Sequence, residues 1–379
     1  MTIASPIAEK PQTATKPVVS APLRGDRIRV ALLGCGQIAD AHLSQIQRIK
    51  FADLVGVCDS YEDLAYQAAA RFKVPGCFTD LDDMLATTRP DVVHIATPAH
   101  THATLSIKLL RAGCHVYVEK PFTLDVDEAD EVLDVARETG RQVCVGHDQL
   151  FDPMWLRIRQ MIARGAIGEV KFVESILGYP IDGNFGSLVA ADPHHWVRQL
   201  PGGLFQNTIS HPLYRITDLL PDPQPRLLGE WLRRSPFDFP TELHMGLEGE
   251  TAGGSLTFST RIPPQRITRV YGAKGMLAVD FDTQIIRREM RPRLPGAFAK
   301  LEAPLRHFSE SCGNLFRNAW RFAWGDIHYF AGMKNLFESF YRSILFGDPT
   351  PVPPAEIRRV TAIMDQIFDH CRRQERGQS

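Results

Sequence analysis

Several features of secreted, membrane and metal-binding proteins are missing from this chain. No stretch of about 18 consecutive apolar residues occurs, so no membrane-spanning helix is predicted. The first 25 residues hold neither an apolar core nor a twin arginine, and no secretory signal is predicted. The seven cysteines include no CxxC pair, which argues against a structural zinc site and against a disulfide framework. We therefore expect a reducing, cytoplasmic location.

A strong net charge is missing as well. The 43 basic and 44 acidic residues give a formal net charge of −1, so the sequence offers no electrostatic reason to bind nucleic acid. The chain has 379 residues, 44% of them hydrophobic, which is enough for two domains. Residues 1–26 hold four prolines among Ala, Thr, Ser and Lys, and a flexible tail is expected there.

Residues 27–148 alternate short aliphatic runs with helix-like stretches. Apolar runs of this length indicate strands that are buried on both faces of a parallel sheet. The runs lie at 27–33, 54–58, 92–96, 116–118 and 143–145, and the clearest helical patterns at 61–72, 101–112 and 126–139. The segment is therefore predicted to be an α/β domain, a doubly wound Rossmann sheet.

Residues 149–379 lack this alternation and contain consecutive strand-like runs with Gly and Pro between them. This pattern predicts an α+β domain with a mostly antiparallel open sheet. Strands are expected at 170–176 and within 226–281, and a long loop at 177–201. Helices are expected at 153–163, 203–220, 327–346 and 355–373. A basic and aromatic insertion covers about 285–325.

The first apolar run ends in a dinucleotide-binding motif. Gly34, Gly36 and Ala39 fit G-x-G-x-x-A, in which the glycines allow a tight turn and a close approach of the backbone to a pyrophosphate. Gln37 and Ile38 complete the loop, whose helix N-terminus favours phosphate. Asp59 follows the second strand, where a carboxylate accepts hydrogen bonds from ribose hydroxyls and repels a 2′-phosphate. The motif therefore favours NAD(H) over NADP(H) as the cofactor. The alternative interpretation of the motif is a glycine-rich turn in an α/β protein of another function.

Two further segments follow buried strands, at the edge where open α/β sheets bind ligands. They read Ala96-Thr97-Pro98, with His100 and His102 beyond, and Gly113-Cys114-His115 continuing to Glu119-Lys120-Pro121. Together with the glycine loop, these segments resemble the Gfo/Idh/MocA family of nicotinamide-dependent oxidoreductases. The resemblance is strong across 28–175 and looser at 202–218 and 270–280.

The resemblance implies roles for individual residues. Lys120 matches the lysine that contacts the cofactor and the substrate hydroxyl that loses hydride, and its bond to Pro121 is a candidate cis peptide. His102 resembles a histidine near the nicotinamide. The resemblance also places Thr97, Pro98, Glu119 and His147 beside the cofactor.

The second family signature is Gly-Gly followed by an aspartate and, four residues later, a histidine. His211 matches the histidine, but Asn207 occupies the aspartate position. Because an amide orients a hydroxyl without accepting its proton, proton transfer is expected to fall on His211 or Lys120, with Asn207 binding substrate. Leu150 is a second departure, at a position where many relatives have arginine.

The predicted loop at 177–201 offers substrate contacts. His195, Trp196 and Arg198 suit sugar hydroxyls, sugar faces and acidic groups. Adjacent histidines with no third ligand at a sensible spacing make a poor metal site, and no metal is expected.

Basic and aromatic residues alternate between 287 and 321. The segment is interpreted as a solvated insertion or a subunit contact, or else as a surface for an anionic membrane or a substrate phosphate.

Together these observations predict an NAD-dependent oxidoreductase that acts on a secondary alcohol of a sugar, nucleotide sugar or cyclitol. The resemblance implies a homodimer or homotetramer that assembles through the open sheet face. The alternatives are a catalytically silent NAD-binding regulatory protein and an NAD-dependent glycoside hydrolase or lyase.

Overall fold

A computed structural model describes residues 26–324 and 330–378. Its first sheet has six parallel strands in the order β3-β2-β1-β4-β5-β6. The strands are β1 (Ile28–Leu33), β2 (Ala52–Cys58), β3 (Cys77–Phe78), β4 (Val92–Ile95), β5 (His115–Val118) and β6 (Val143–Val145). The helices are α1 (Ala39–Ile46), α2 (Glu62–Phe72), α3 (Leu81–Thr88), α4 (His102–Arg111) and α5 (Val126–Thr139). The predicted Rossmann fold is confirmed, and its ligand crevice lies at the carboxyl ends of β1 and β4, where the strand order reverses.

The second sheet has seven strands in the order β13-β12-β11-β7-β10-β9-β8. Only the pairing of β7 with β10 is parallel, so the predicted mostly antiparallel sheet is also confirmed. The strands are β7 (Val170–Gly178), β8 (Arg226–Arg233), β9 (Pro240–Glu248), β10 (Gly253–Ser259), β11 (Gln265–Gly272), β12 (Gly275–Asp280) and β13 (Ile285–Met290). The helices are α6 (Pro153–Ala163), α7 (Asn184–Ala191), α8 (Gly203–Thr208), α9 (Ser210–Thr217), α10 (Ala299–Ala323), α11 (Ala331–Phe346) and α12 (Pro354–Gln378).

Two predictions about local structure were wrong. The expected loop at 177–201 contains α7 and a 3-10 turn at Trp196–Gln199, because eight residues are too few for a readable helical period. The expected helix at 203–220 is two helices. Pro212 lies in the first turn of α9 and has no N–H to donate to the carbonyl of Thr208, so the helical ladder is interrupted there.

Helix α11 returns from the second half of the chain to the first sheet. Leu336, Phe337, Phe340 and Tyr341 are fully buried in the same hydrophobic core as β1, β4 and β5. At Gly332 the helix approaches the loop after β6 so closely that a Cβ would lie 2.1 Å from the carbonyl oxygen of Asp148. The fold thereby fixes the backbone of that loop. The predicted start of this helix, 327–329, lies outside the described residues, as do 1–25 of the predicted tail and residue 325 of the predicted insertion.

The remaining structural findings concern helices and thiols. No helix in the described part of the chain combines the length and the apolar character that crossing a bilayer requires. All seven cysteines are free, and five of them are buried. Within residues 26–324 and 330–378, no group of three His, Cys, Asp or Glu side chains is arranged as metal ligands.

Candidate active site

The glycine loop between β1 and α1 has the geometry that a dinucleotide needs. Gly34 has φ +96°, and a Cβ there would lie 2.7 Å from the carbonyl carbon of Ala96, so the turn requires glycine. A Cβ on Gly36 would meet nothing within 4 Å, which leaves open space beside the backbone. Asp59 accepts the N–H of Cys35 at 2.7 Å and that of Tyr61 at 2.9 Å, which holds its carboxylate against the loop. These residues fit a bound dinucleotide.

His102 connects the loops that follow β4 and β5. Its ring is buried, with Nε2 2.9 Å from the carbonyl oxygen of Thr97 and Nδ1 2.8 Å from that of Pro121. Burial lowers the pKa of His102. Since both ring nitrogens lie within hydrogen-bond distance of backbone carbonyls, His102 ties the two loops together, and its predicted contact with the cofactor remains a prediction.

A series of buried, hydrogen-bonded polar side chains, which was not predicted from the sequence, runs from Glu119 into the core of the first domain. His42 Nε2 lies 2.9 Å from Glu119 Oε1, and His42 Nδ1 lies 3.0 Å from His94 Nδ1. His94 Nε2 lies 2.7 Å from the Tyr341 hydroxyl. One assignment satisfies every contact with neutral histidines: Tyr341 donates to His94, His94 donates to His42, and His42 donates to the carboxylate. The polar residue His94 within an apolar strand was the available signal.

Burial and neighbouring groups shift the pKa of two members of this series, His94 and Glu119. Burial lowers the pKa of His94 well below its ordinary value. Burial also works to raise the pKa of Glu119, but the hydrogen bond from His42 and the charge of Lys120 outweigh it and leave that pKa lowered. Glu119 is therefore an ionised carboxylate held in one orientation next to Lys120.

We expect Tyr341→Phe to lower the free energy of unfolding by about 1–3 kcal/mol, because it leaves the buried Nε2 of His94 without a donor. Thermal or urea unfolding measures this loss. Tyr66→Phe, which changes an exposed tyrosine on α2, is the matched control and should be neutral. Equal stability of the Tyr341 variant and the parent would contradict the hydrogen-bond chain.

Lys120 lies where the two halves of the chain meet. The predicted cis peptide between Lys120 and Pro121 is confirmed. Lys120 Nζ donates to the backbone oxygen of Asn207 at 2.9 Å. The buried Gln206 accepts the N–H of Gly202 at 2.9 Å and donates to the oxygen of Leu124 at 2.6 Å, which fixes α8 against the loop that carries the lysine.

A small cavity of about 60 Å³ opens beside Lys120. Burial lowers the pKa of the lysine, while the charges of Glu119 and Asp148 oppose that shift. Four predicted site residues line the cavity: Ile38, Glu119, Lys120 and His211. The others that line it are Asp148, Gln149, Arg266, Phe330 and Met333. The end of the glycine loop, the lysine and the histidine are therefore brought to one place.

Asp148 and Tyr214 form a hydrogen-bonded arrangement with His211 that was not predicted from the sequence. Tyr214 Oη accepts the N–H of Gln149 at 3.2 Å and donates to Asp148 Oδ1 at 3.3 Å. Because the single hydroxyl proton is used there, His211 Nδ1, 2.7 Å from the same oxygen, is the donor in its contact with Tyr214. This tautomer leaves a lone pair on His211 Nε2.

Burial and neighbouring charges shift the pKa values of both Asp148 and His211. Burial and the nearby charge of Glu119 raise the pKa of Asp148 to about 7. Burial, together with the charges of Lys120 and Arg215, lowers the pKa of His211 well below its ordinary value. His211 is therefore a neutral base at neutral pH, with Asp148 Oδ1 at 3.8 Å from its Nδ1.

The remaining predicted residues lie outside the cavity lining. His147 is buried beneath Tyr214, with ring centroids 4.5 Å apart, and burial lowers its pKa to about 3. His195 accepts the N–H of Val197 at 3.3 Å and stacks on Trp196. Arg198 pairs with Asp238 at 2.5 Å. Substrate contacts by His195, Trp196 and Arg198 remain predictions, as does a contact by the side chain of Asn207.

Both halves of the chain match models of known protein families. Residues 28–147 match an oxidoreductase family with an NAD-binding Rossmann fold, and residues 155–278 match the Gfo/Idh/MocA C-terminal domain. The chain belongs to the Gfo/Idh/MocA family.

Curated Gfo/Idh/MocA relatives match part of the chain. D-glucoside 3-dehydrogenase of Escherichia coli (strain K12) is 33% identical over 144 residues, which cover 38% of this chain and 41% of that protein. Inositol 2-dehydrogenase of Rhizobium meliloti (strain 1021) is 31% identical over 185 residues, which cover 48% of this chain and 52% of that protein. The chain thus spans about half or less of the length of these relatives.

A solved Gfo/Idh/MocA structure matches the fold nearly throughout. The WlbA dehydrogenase from Bordetella pertussis, in complex with NADH and UDP-GlcNAcA, gives a TM-score of 0.74 at 19% identity. The match covers 93% of this chain and 98% of that one. At this identity the likeness shows the fold alone.

Proposed function

We propose that the chain is an NAD-dependent oxidoreductase that interconverts a secondary alcohol and a ketone on a sugar, nucleotide sugar or cyclitol. The observation that carries this proposal is the cavity in which Ile38 of the glycine loop, Lys120 and His211 meet. Membership of the Gfo/Idh/MocA family and the kinds of relatives it matches support the substrate class. In the oxidative direction, the carbinol carbon loses a hydride and its hydroxyl loses a proton.

The glycine loop and Asp59 would hold the cofactor. The open backbone at Gly36 suits a pyrophosphate, and the carboxylate of Asp59 suits the ribose hydroxyls. When bound, the nicotinamide supplies the hydride acceptor or donor. The negative charge of Asp59 repels a 2′-phosphate, which supports NAD(H) over NADP(H).

Lys120, His211 and Asp148 would handle the charge and the proton of the hydroxyl. The ammonium of Lys120 hydrogen-bonds the reacting oxygen and stabilises the developing alkoxide. His211 Nε2 accepts the proton, and Asp148 stabilises the resulting imidazolium while Tyr214 keeps the ring in the correct tautomer. Asp148 thereby compensates for the amide at Asn207, whose side chain orients the substrate. His195, Trp196 and Arg198 would contact the remainder of the substrate.

Assembly and location belong to the same proposal. The open face of the second sheet exposes Phe172 of β7 next to Tyr271 of β11, with ring centroids 6.2 Å apart. An apolar contact of this kind supports a homodimer or homotetramer. Seven free thiols support a reducing cytoplasm.

The decisive experiment mixes the purified chain with NAD or NADP and a panel of sugars, nucleotide sugars and cyclitols. We expect reduced nicotinamide to accumulate with at least one of them, and NAD to raise the melting temperature more than NADP does. Cofactor binding with no turnover would favour the silent regulatory alternative. Glycoside cleavage without net NADH would favour the hydrolase alternative.

A further inference from the structure

Helix α10 presents its polar face to the protein. Side chains spaced by about four residues bond the backbone of β13, which is the edge strand of the second sheet, and of the segments flanking it. Glu310 accepts the N–H of Arg288 at 3.1 Å, and Asn314 donates to the oxygen of Ile286 at 2.8 Å. Arg306 donates to the oxygen of Met290 at 3.2 Å. The polar face of α10 thus takes the place of a missing neighbouring strand.

The apolar face of the same helix points away from the protein. Nine large apolar side chains between 298 and 324 are each 61–76% exposed, and they are half of the eighteen large apolar side chains exposed in the described residues. Leu301, Leu305, Phe308 and Leu315 follow one another at spacings of four, three and seven residues, which places their side chains on one face of the helix. Together the nine expose on the order of 1,000 Å² of apolar surface. A patch of that size exceeds what a typical monomer shows and needs a partner.

The charge of this segment points to the kind of partner. Residues 287–324 hold eight basic and three acidic residues, a net charge of +5 in a chain whose total is −1. Arg287, Arg291, Arg293 and Lys300 are exposed. A second copy across a two-fold axis would bring this basic segment against itself. An anionic lipid surface supplies both an apolar layer and the opposite charge.

We propose that α10 lies on the surface of an anionic phospholipid membrane, with its Phe, Trp and Leu side chains at the boundary between headgroups and acyl chains. The basic residues that precede and flank the helix then contact the headgroups. This attachment is peripheral and does not depend on the proposed oxidoreductase activity.

Vesicle sedimentation of the full chain tests the proposal. We expect the protein to sediment with vesicles of equal parts phosphatidylcholine and phosphatidylglycerol, and much less with phosphatidylcholine alone. Added salt should weaken the binding. The triple variant Phe308→Ser, Phe316→Ser, Trp320→Ser should reduce partitioning about tenfold or more. An unchanged melting temperature would show that this variant folds, since its three side chains are exposed.

A matched control removes exposed apolar side chains elsewhere. This control is the triple variant Tyr61→Ser, Tyr66→Ser, Leu228→Ser. Its substitutions lie just before α2, on α2 and on β8, and it should bind vesicles like the parent. Parent protein that stays in the supernatant with anionic vesicles would overturn the proposal, as would equal sedimentation of the parent and the α10 variant. If the α10 variant instead changes only the mass measured by sedimentation equilibrium without lipid, a second copy covers this face and the membrane is excluded.

Discussion

Lys120→Met should lower turnover on the order of 10²-fold or more while leaving NAD binding nearly unchanged. Lys120 lines the cavity with His211, and methionine keeps most of the length of the side chain while removing the charge that would stabilise an alkoxide. In the proposed scheme the cofactor is bound by Gly34, Gly36 and Asp59, which this substitution does not change. Steady-state kinetics and calorimetric titration with NAD measure the two effects separately.

The control for this variant is Lys50→Met, which makes the same chemical change on an exposed side chain and should keep full turnover. Turnover of the Lys120 variant within a few-fold of the parent would rule out the proposed role of the amine. Loss of NAD binding with unchanged residual chemistry would show that Lys120 acts on the cofactor alone.

The parts of the fold that depend on local sequence could be predicted. The glycine loop and Asp59 lie within one strand-helix-strand unit, and their spacing carries the geometry. Most strands of both sheets were likewise readable, because buried parallel strands are continuous apolar runs and antiparallel strands are separated by turn residues. Strand β3 has only two residues and was missed, and β13 was missed because its arginines made it part of the predicted basic insertion. The cis bond at Lys120 was predicted from the family resemblance and not from the residues themselves.

The parts that depend on packing between distant segments could not be predicted. Helical periodicity gives α10 a polar and an apolar face but does not say which face points inward. That orientation depends on the unpaired edge of β13, which is defined only once the sheet is assembled. The chain of His42, His94 and Tyr341 likewise joins three elements that are far apart in sequence.

Asp148 shows how an incomplete signature can mislead. The amide at Asn207 made the site look deficient in acids, because the family pattern places the aspartate on the same segment as His211. The structure brings Asp148 to His211 from the end of β6 instead, through Tyr214. The available signal was an acidic residue directly after the last buried strand, at the edge of the sheet where ligands bind.

Asp148→Asn should lower turnover in the oxidative direction on the order of 10²-fold, and it should remove a pH dependence centred near the pKa of about 7. The proposed scheme predicts that the rate of the parent should rise with pH as Asp148 ionises, because only the carboxylate form can stabilise an imidazolium at His211. The amide keeps the hydrogen bond from Tyr214 and has no charge to gain. Asp148 is a positioning residue in this scheme, and the pH profile of kcat distinguishes that role from a merely structural one.

The same substitution should also change how stability depends on pH, because ionisation of Asp148 raises turnover but lowers the stability of the folded chain. The pKa of Asp148 is raised in the folded state from 3.8 to about 7, so the folded chain binds this proton more tightly, and stability falls as pH rises between those values. Asparagine does not ionise, so the variant does not lose stability in this way as the pH rises. The melting temperature of the variant minus that of the parent should therefore be larger at about pH 8 than at about pH 5. Asp152→Asn is the control: Asp152 is a buried carboxyl on the same segment that caps α6 and does not line the cavity. It should leave the pH profile of turnover intact. A profile that keeps its inflection near neutrality in Asp148→Asn would assign the titrating group to another residue and end the proposed coupling of Asp148 to His211.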